Sequence, residues 1–265
     1  MTVSGSQWAL GGLAGGTIFL GLPIARLRRV TPKLQGFLNA ASTGILIFLL
    51  VEMTGHLLDG LEELIEEAVE HGGSMGEAFR HGSLFALGFS AGLLGLMAFE
   101  RRYLGSAKDG ASAKNKTKRL AMMIAIGLGV HNLSEGLAIG QGYASGALKL
   151  AWLLTIGFAL HNATEGFRIA APLSGQRVSW RFLTLAGLVA GGPTFLGAVI
   201  GSWWVNDATE VFCLSLASGT ILYLIGELLH LGRQLKEETV VGLGLLAGFF
   251  AALATDVFLS AFGGS

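Results

Sequence analysis

A chain of 265 residues that is 52% hydrophobic and only 14% charged, with 41 glycines and a mean hydropathy of +0.61, cannot present the charged surface of a soluble domain. Its formal net charge of zero offers no electrostatic footprint for nucleic acid, so no such partner is expected. The charges gather in short clusters between long apolar stretches, the pattern of an all-α, polytopic membrane protein whose solvent is the lipid bilayer.

A spanning helix needs roughly 20 mostly apolar residues. In chain order that length predicts eight transmembrane segments, at 6–25, 34–58, 83–103, 120–143, 149–171, 180–204, 208–232 and 242–262, within one transporter-sized domain over 1–265. The first has no basic stretch ahead of it, and Arg26, Arg28 and Arg29 follow it, so it is read as a retained span rather than a signal peptide. After the second comes an acidic region, 59–82, expected to be extracytoplasmic. There Leu61, Leu64, Ile65, Ala68 and Val69 recur at helical spacing and predict an amphipathic helix outside the membrane. Glu62, Glu63, Glu66, Glu67, Glu70, His71 and His81 read first as a solvated face, and secondly as a means of concentrating cations near an entrance. The stretch 104–119, rich in Ser, Ala, Gly and Lys, is expected to be a flexible cytoplasmic loop. Cys213, the single cysteine, lies in an apolar run, which excludes an intramolecular disulfide and a Cys-rich zinc motif.

Basic residues alternate between the connections. Arg26, Arg28, Arg29 and Lys33 follow the first segment, and Arg101, Arg102, Lys108, Lys114, Lys116, Lys118 and Arg119 follow the third. Arg168, Arg177 and Arg181 flank the fifth-to-sixth junction, and Arg233 and Lys236 the seventh-to-eighth, leaving only Arg80 and Lys149 opposite. The positive-inside rule makes those four connections cytoplasmic and both termini extracytoplasmic, with a cell membrane (plasma or inner) as the location.

Two stretches carry chemistry. HNLSEG at 131–136 returns as HNATEG at 161–166. In each, His and Glu are four apart, so on a helix they share a face one turn apart and can share an ion. His131, Asn132, Glu135, His161, Asn162 and Glu165 are thus the candidate metal ligands. Imidazole with carboxylate suits zinc and other first-row divalent metals, and the Asn oxygens widen the range toward iron or manganese. Both motifs fall about eleven or twelve residues into antiparallel neighbours, near the midplane of a bilayer about 30 Å thick. Carboxylates at that depth cost at least about 2.5 kcal/mol each and so mark function. Glu52, His56 and Asp256 fall in outer halves of their segments, and Glu227 and His230 toward an inner end, as a candidate transport path on either side of the site.

Two other readings compete. A metal-binding sensor or structural protein would hold the ion without moving it. An intramembrane metalloenzyme would need H-E-x-x-H on one helix, which the chain lacks; no enzyme activity is expected.

The paired HNxxEG motifs, the eight segments and the basic third-to-fourth connection resemble the Zrt/Irt-like protein (ZIP) family of divalent-metal transporters over nearly the whole chain. The resemblance implies an inverted repeat of helices 1–3 and 6–8 around helices 4 and 5, the six motif residues as ligands, and acidic positions at Glu227 and Asp256. It also implies zinc, iron, manganese or cadmium as cargo moved toward the cytoplasm. The chain departs from the family pattern at three places. Ser134 and Thr164 stand where the family usually has proline, so less helix kinking is expected. GGPTFLGA at 191–198 lacks the glutamate that bridges a second metal, so a single site is expected. Arg168, one turn beyond Glu165, either pairs with it or snorkels to the interface. Homodimerisation is compatible with the many glycines, though no face is marked for it.

Overall fold

The computed structural model describes residues 5–26, 31–70, 72, 74–103, 113–170, 173, 178–203, 206–234 and 237–262. Among them there is helix and no strand. The helices are α1 (Gly5–Gly16), α2 (Ile18–Gly21), α3 (Pro32–Glu70), α4 (Met75–Tyr103), α5 (Ala113–Ala144), α6 (Leu148–Ala170), α7 (Trp180–Gly201), α8 (Asp207–Gln234) and α9 (Glu238–Phe262). A 3-10 turn, Leu22–Arg26, continues α2, so α1, α2 and the turn make the first span.

Seven of these stretches are long and apolar enough to cross a membrane. The eighth, α6, has 23 residues, about 35 Å of helix, but His161, Asn162, Glu165 and Arg168 dilute its hydropathy. It is lodged in the bundle instead, with Leu153, Leu154, Phe158 and Ile169 all buried. By contrast α4 and α9 turn Phe79, Leu87, Leu94, Leu246, Phe250 and Phe258 outward, as lipid-facing helices do.

Several boundaries differ from the sequence reading. The acidic stretch 61–70 is helical and forms the end of α3, a continuous helix of 39 residues, about 58 Å long, which outruns the apolar layer because nothing in LLDGLEELIEEAVE breaks it. Gly72, at φ 74°, then turns the chain into α4 at Met75, ahead of the expected residue 83. The expected loop at 104–119 is helical from Ala113. The rest of that loop, together with Arg28, Arg29, His71, Lys108, Arg177 and Lys236, lies outside the described residues. Caps follow their chemistry: Ser179 Oγ accepts from Phe182 N at the start of α7, and Asn206 Oδ1 accepts from Thr209 N at the start of α8.

The packing sorts the helices into two groups. One holds α1, α2, α5, α6 and α7; the other holds α3, α4, α8 and α9. Within them α3 lies on α9 as α4 lies on α8, and α5 pairs with α6 at the centre. That is the pairing expected of an inverted repeat of the first three and last three spans around two central helices. Glycines set the closeness of these pairs. A Cβ on Gly136 would collide with Thr194 O, one on Gly92 with Leu216 O, and one on either Gly15 or Gly191 with the carbonyl oxygen of the other. Such contacts need bare backbone. The ends of the bundle differ in charge: Arg26 reaches over the Trp180 ring, 4.9 Å from its centroid, at a basic end, while Asp59, Glu63, Glu67, Asp207 and Glu210 gather at the opposite, acidic end.

Candidate metal centre

The connection between α5 and α6 is three residues long, and Gly146 takes φ 92° within it, a conformation that side-chain-bearing residues rarely adopt. Ser145 and Gly146 close the turn through hydrogen bonds to Gln141 O and Tyr143 O. The tight turn has a consequence for depth. His131 lies thirteen residues before the end of α5 and His161 thirteen after the start of α6, so both stand at one level, about 20 Å from the turn.

At that level the motifs meet. His131 Nε2 is 2.9 Å from Glu165 Oε1, and His161 Nε2 is 3.0 Å from the same oxygen. The two rings are 6.2 Å apart between centroids. Asn132 Nδ2 donates to Glu165 Oε2 at 3.2 Å. One ligand atom each of His131, Glu135 and His161 lies within 4.8 Å of the other two. All six motif residues are buried, at 0–1% exposure. Both oxygens of Glu135 are buried and have no hydrogen-bond partner among the described residues, as are Asn132 Oδ1 and Asn162 Oδ1. Buried acceptors of this kind are costly unless a cation or proton meets them. The cluster can offer imidazole nitrogens, carboxylate oxygens and amide oxygens to one divalent ion.

The amide nitrogens explain how the Asn side chains are aimed. Asn132 Nδ2 also donates to Ala190 O at 3.0 Å, and Asn162 Nδ2 to Ala14 O at 3.0 Å. Each acceptor lies beside a fault in a helix. Pro193 inside α7 has no N–H for Val189 O, next to Ala190. Thr17 interrupts the chain between α1 and α2, its hydroxyl donating to Ala14 O and Ala159 O. The first and sixth spans thus serve the two motifs in the same way, as the inverted repeat requires. With an Asn held at each fault, α5 and α6 run through Ser134 and Thr164 as unbroken helices; these hydroxyls donate to His131 O and His161 O.

Arg168 makes no ion pair with Glu165, whose oxygens are taken by the two His and Asn132; the arginine is half-buried, and its Nη1 has no hydrogen-bond partner among the described residues. The remaining candidates do not join the cluster. Glu227 and His230 are exposed on α8. His56 reaches Glu210 at 3.4 Å beside a cavity of about 610 Å³ that Asp59, Glu63, Glu67, His81 and Asp207 also line. Glu52 lines a second cavity of about 570 Å³ with Lys149, whose ammonium lies 2.9 Å from Asp256 Oδ1. Sequence reasoning missed Ser42, whose Oγ lies 2.5 Å from His161 Nδ1, and Thr220, whose hydroxyl is 2.9 Å from that of Ser134. A small hydroxyl in an apolar helix carries no signal of its own, because it normally bonds its own backbone. Glu210 was legible only as an acidic first-turn residue of α8.

A comparison with curated proteins finds no match. A family model does match: the one described as ZIP zinc transporter covers residues 56–249, well over half of the chain and both motif helices. Taken with the paired motifs and the helical bundle that carries them, this shows that the chain belongs to the ZIP zinc transporter family.

Proposed function

We infer that the protein, as a member of that family, moves divalent metal ions across a membrane rather than catalysing a reaction. We propose that the cargo is zinc first, with iron, manganese or cadmium as alternatives, and that it is held in transit by His131, Asn132, Glu135, His161, Asn162 and Glu165. The observation that supports this reading best is Glu135. Its two oxygens are buried with no hydrogen-bond partner among the described residues, close to ligand atoms of His131 and His161, a donor set suited to a divalent cation. By the positive-inside rule the cytoplasm is on the Arg26 side in this reading. Ions therefore enter at the acidic cavities, where Glu52, His56 and Asp256 stand, and leave past Arg168 and the Glu227–His230 side. The hard carboxylates and amide oxygens replace the water that the ion sheds, which makes a buried crossing affordable. With Thr194 and no glutamate in GGPTFLGA, one ion at a time is the expected occupancy. Zinc uptake into vesicles reconstituted with the full chain tests the reading: Glu135→Ala and Glu165→Ala should abolish it, and unchanged uptake in both would overturn the assignment.

A further inference from the structure

His161 is carried by one helix group and touched by the other. Ser42, in the run NAASTGILIF of α3, is 1% exposed and points its Oγ at His161 Nδ1, 2.5 Å away. The opposite nitrogen, Nε2, faces Glu165 and lies in the donor cluster. A neutral imidazole carries one proton, on one nitrogen or the other, and ligates a metal only through the nitrogen without it. For Nε2 to ligate, Nδ1 must hold the proton, and a buried N–H needs an acceptor. Ser42 Oγ lies where that acceptor is required. The equivalent helix of the second repeat places its hydroxyl differently: Thr220 of α8 meets Ser134, not a ring nitrogen.

We propose that Ser42 is a positioning residue of the metal site, accepting the Nδ1–H of His161 so that the Nε2 lone pair is turned to the ion. The proposal rests on the reading of His161 as a ligand. It adds that the ligand's tautomer is set from the far side of the seam between the two helix groups. Hydroxyl loss then weakens metal binding through the imidazole. Loss of a partner to a ligating histidine typically costs about 10- to 100-fold in metal affinity.

The test uses the full chain in detergent or nanodiscs, with zinc alone as the probe. Ser42→Thr and Ser42→Val have nearly the same shape and differ in the hydroxyl, so their comparison is independent of packing. Ser42→Val should bind zinc about 10- to 100-fold more weakly than wild type, and Ser42→Thr should recover most of that loss. Nitrogen-15 spectra of the His161 ring should show the Nδ1–H form in wild type and Ser42→Thr, and a mixture of tautomers in Ser42→Val. Equal zinc affinity in the Thr and Val variants, or an unchanged tautomer, overturns the proposal. His161→Ala separates this from the underlying reading. If it binds zinc as wild type does, His161 is not a ligand and both fall. If it loses zinc while Ser42→Val does not, only the role of Ser42 falls.

Discussion

Lys149 Nζ lies 2.9 Å from Asp256 Oδ1, tying the first turn of α6 to α9 across the seam between the helix groups and above the cavity that Glu52 lines. The lysine side chain is 53% exposed and the aspartate 17%, so the pair adds at most about 1 kcal/mol to stability. Its larger effect is on cations, since the ammonium occupies the charge of an aspartate on the proposed entry route. Lys149→Gln should leave the fold intact, lower the apparent KM for zinc uptake severalfold and make uptake more sensitive to added salt, as screening predicts for an uncompensated acidic mouth. An unchanged KM at low ionic strength would remove Lys149 from the route.

Glu135 sets stability against function. Its carboxylate is fully buried and makes no hydrogen bond among the described residues. Replacement by an apolar side chain of similar length removes an unsatisfied polar group, which costs about 1–3 kcal/mol where it occurs. Glu135→Met should therefore raise the unfolding free energy without metal by about that amount, while losing zinc binding. Thermal unfolding followed with and without zinc reports both signs at once. A variant less stable than wild type in the absence of metal would mean that Glu135 has a partner the described contacts do not reveal.

Zinc itself should stabilise the wild-type protein. Ligand at 100 times its Kd adds about 2.7 kcal/mol to the folded state, and a chelator should reverse the gain fully. The shift should vanish in Glu165→Ala, since Glu165 joins His131, His161 and Asn132 in one network. A zinc-induced rise that survives in Glu165→Ala would point to a second binding position, with the acidic cavity around His56 and Glu210 as the place to look.

Much of this arrangement was legible because bilayers impose simple rules. Apolar length gave the spans, and the repeated four-residue spacing of His and Glu gave the cluster. Matched depth on antiparallel helices gave their convergence, which the short turn at Gly146 makes geometrically strict. What escaped was set by contacts between distant segments. Nothing local distinguishes Ser42 from Thr43, yet the first reaches His161 and the second its own backbone at Asn39 O. The acidic stretch is helical as its spacing suggests, but its continuity with the second span was not legible, because hydropathy ends a span where helix propensity does not, and α3 continues on residues such as Glu62, Glu66 and Glu67. Position along α8 puts Glu227 and His230 toward an inner end, but what the two exposed side chains face depends on how that helix is rotated, which the sequence does not express.

Two glycines in the same assembly should respond in opposite ways. A methyl group on Gly136 would collide with Thr194 O, whereas on Gly192 it would meet nothing within 4 Å. Gly136→Ala should destabilise by about 1–3 kcal/mol, the usual result of overpacking, and weaken zinc binding because it pushes α5 away from α7 beside Glu135. Gly192→Ala should be neutral or stabilising by up to about 1 kcal/mol, since alanine is the better helix former. Denaturation midpoints for the two variants provide the comparison.

The close glycine contacts share one further property: among the described residues, every glycine that meets another helix's backbone does so inside its own helix group. Across the seam the nearest equivalent is Gly157, which meets only the side chain of Leu49, alongside the hydroxyl pair Ser134–Thr220 and the ion pair Lys149–Asp256. Each group is thus welded along its carbonyls, while the joint between them is upholstered with rotatable tips. Shear along that joint costs rotamer changes rather than torn helix pairs. Mutations should therefore fall into two kinds, those that decide whether either half is built and those that change where the halves come to rest against each other.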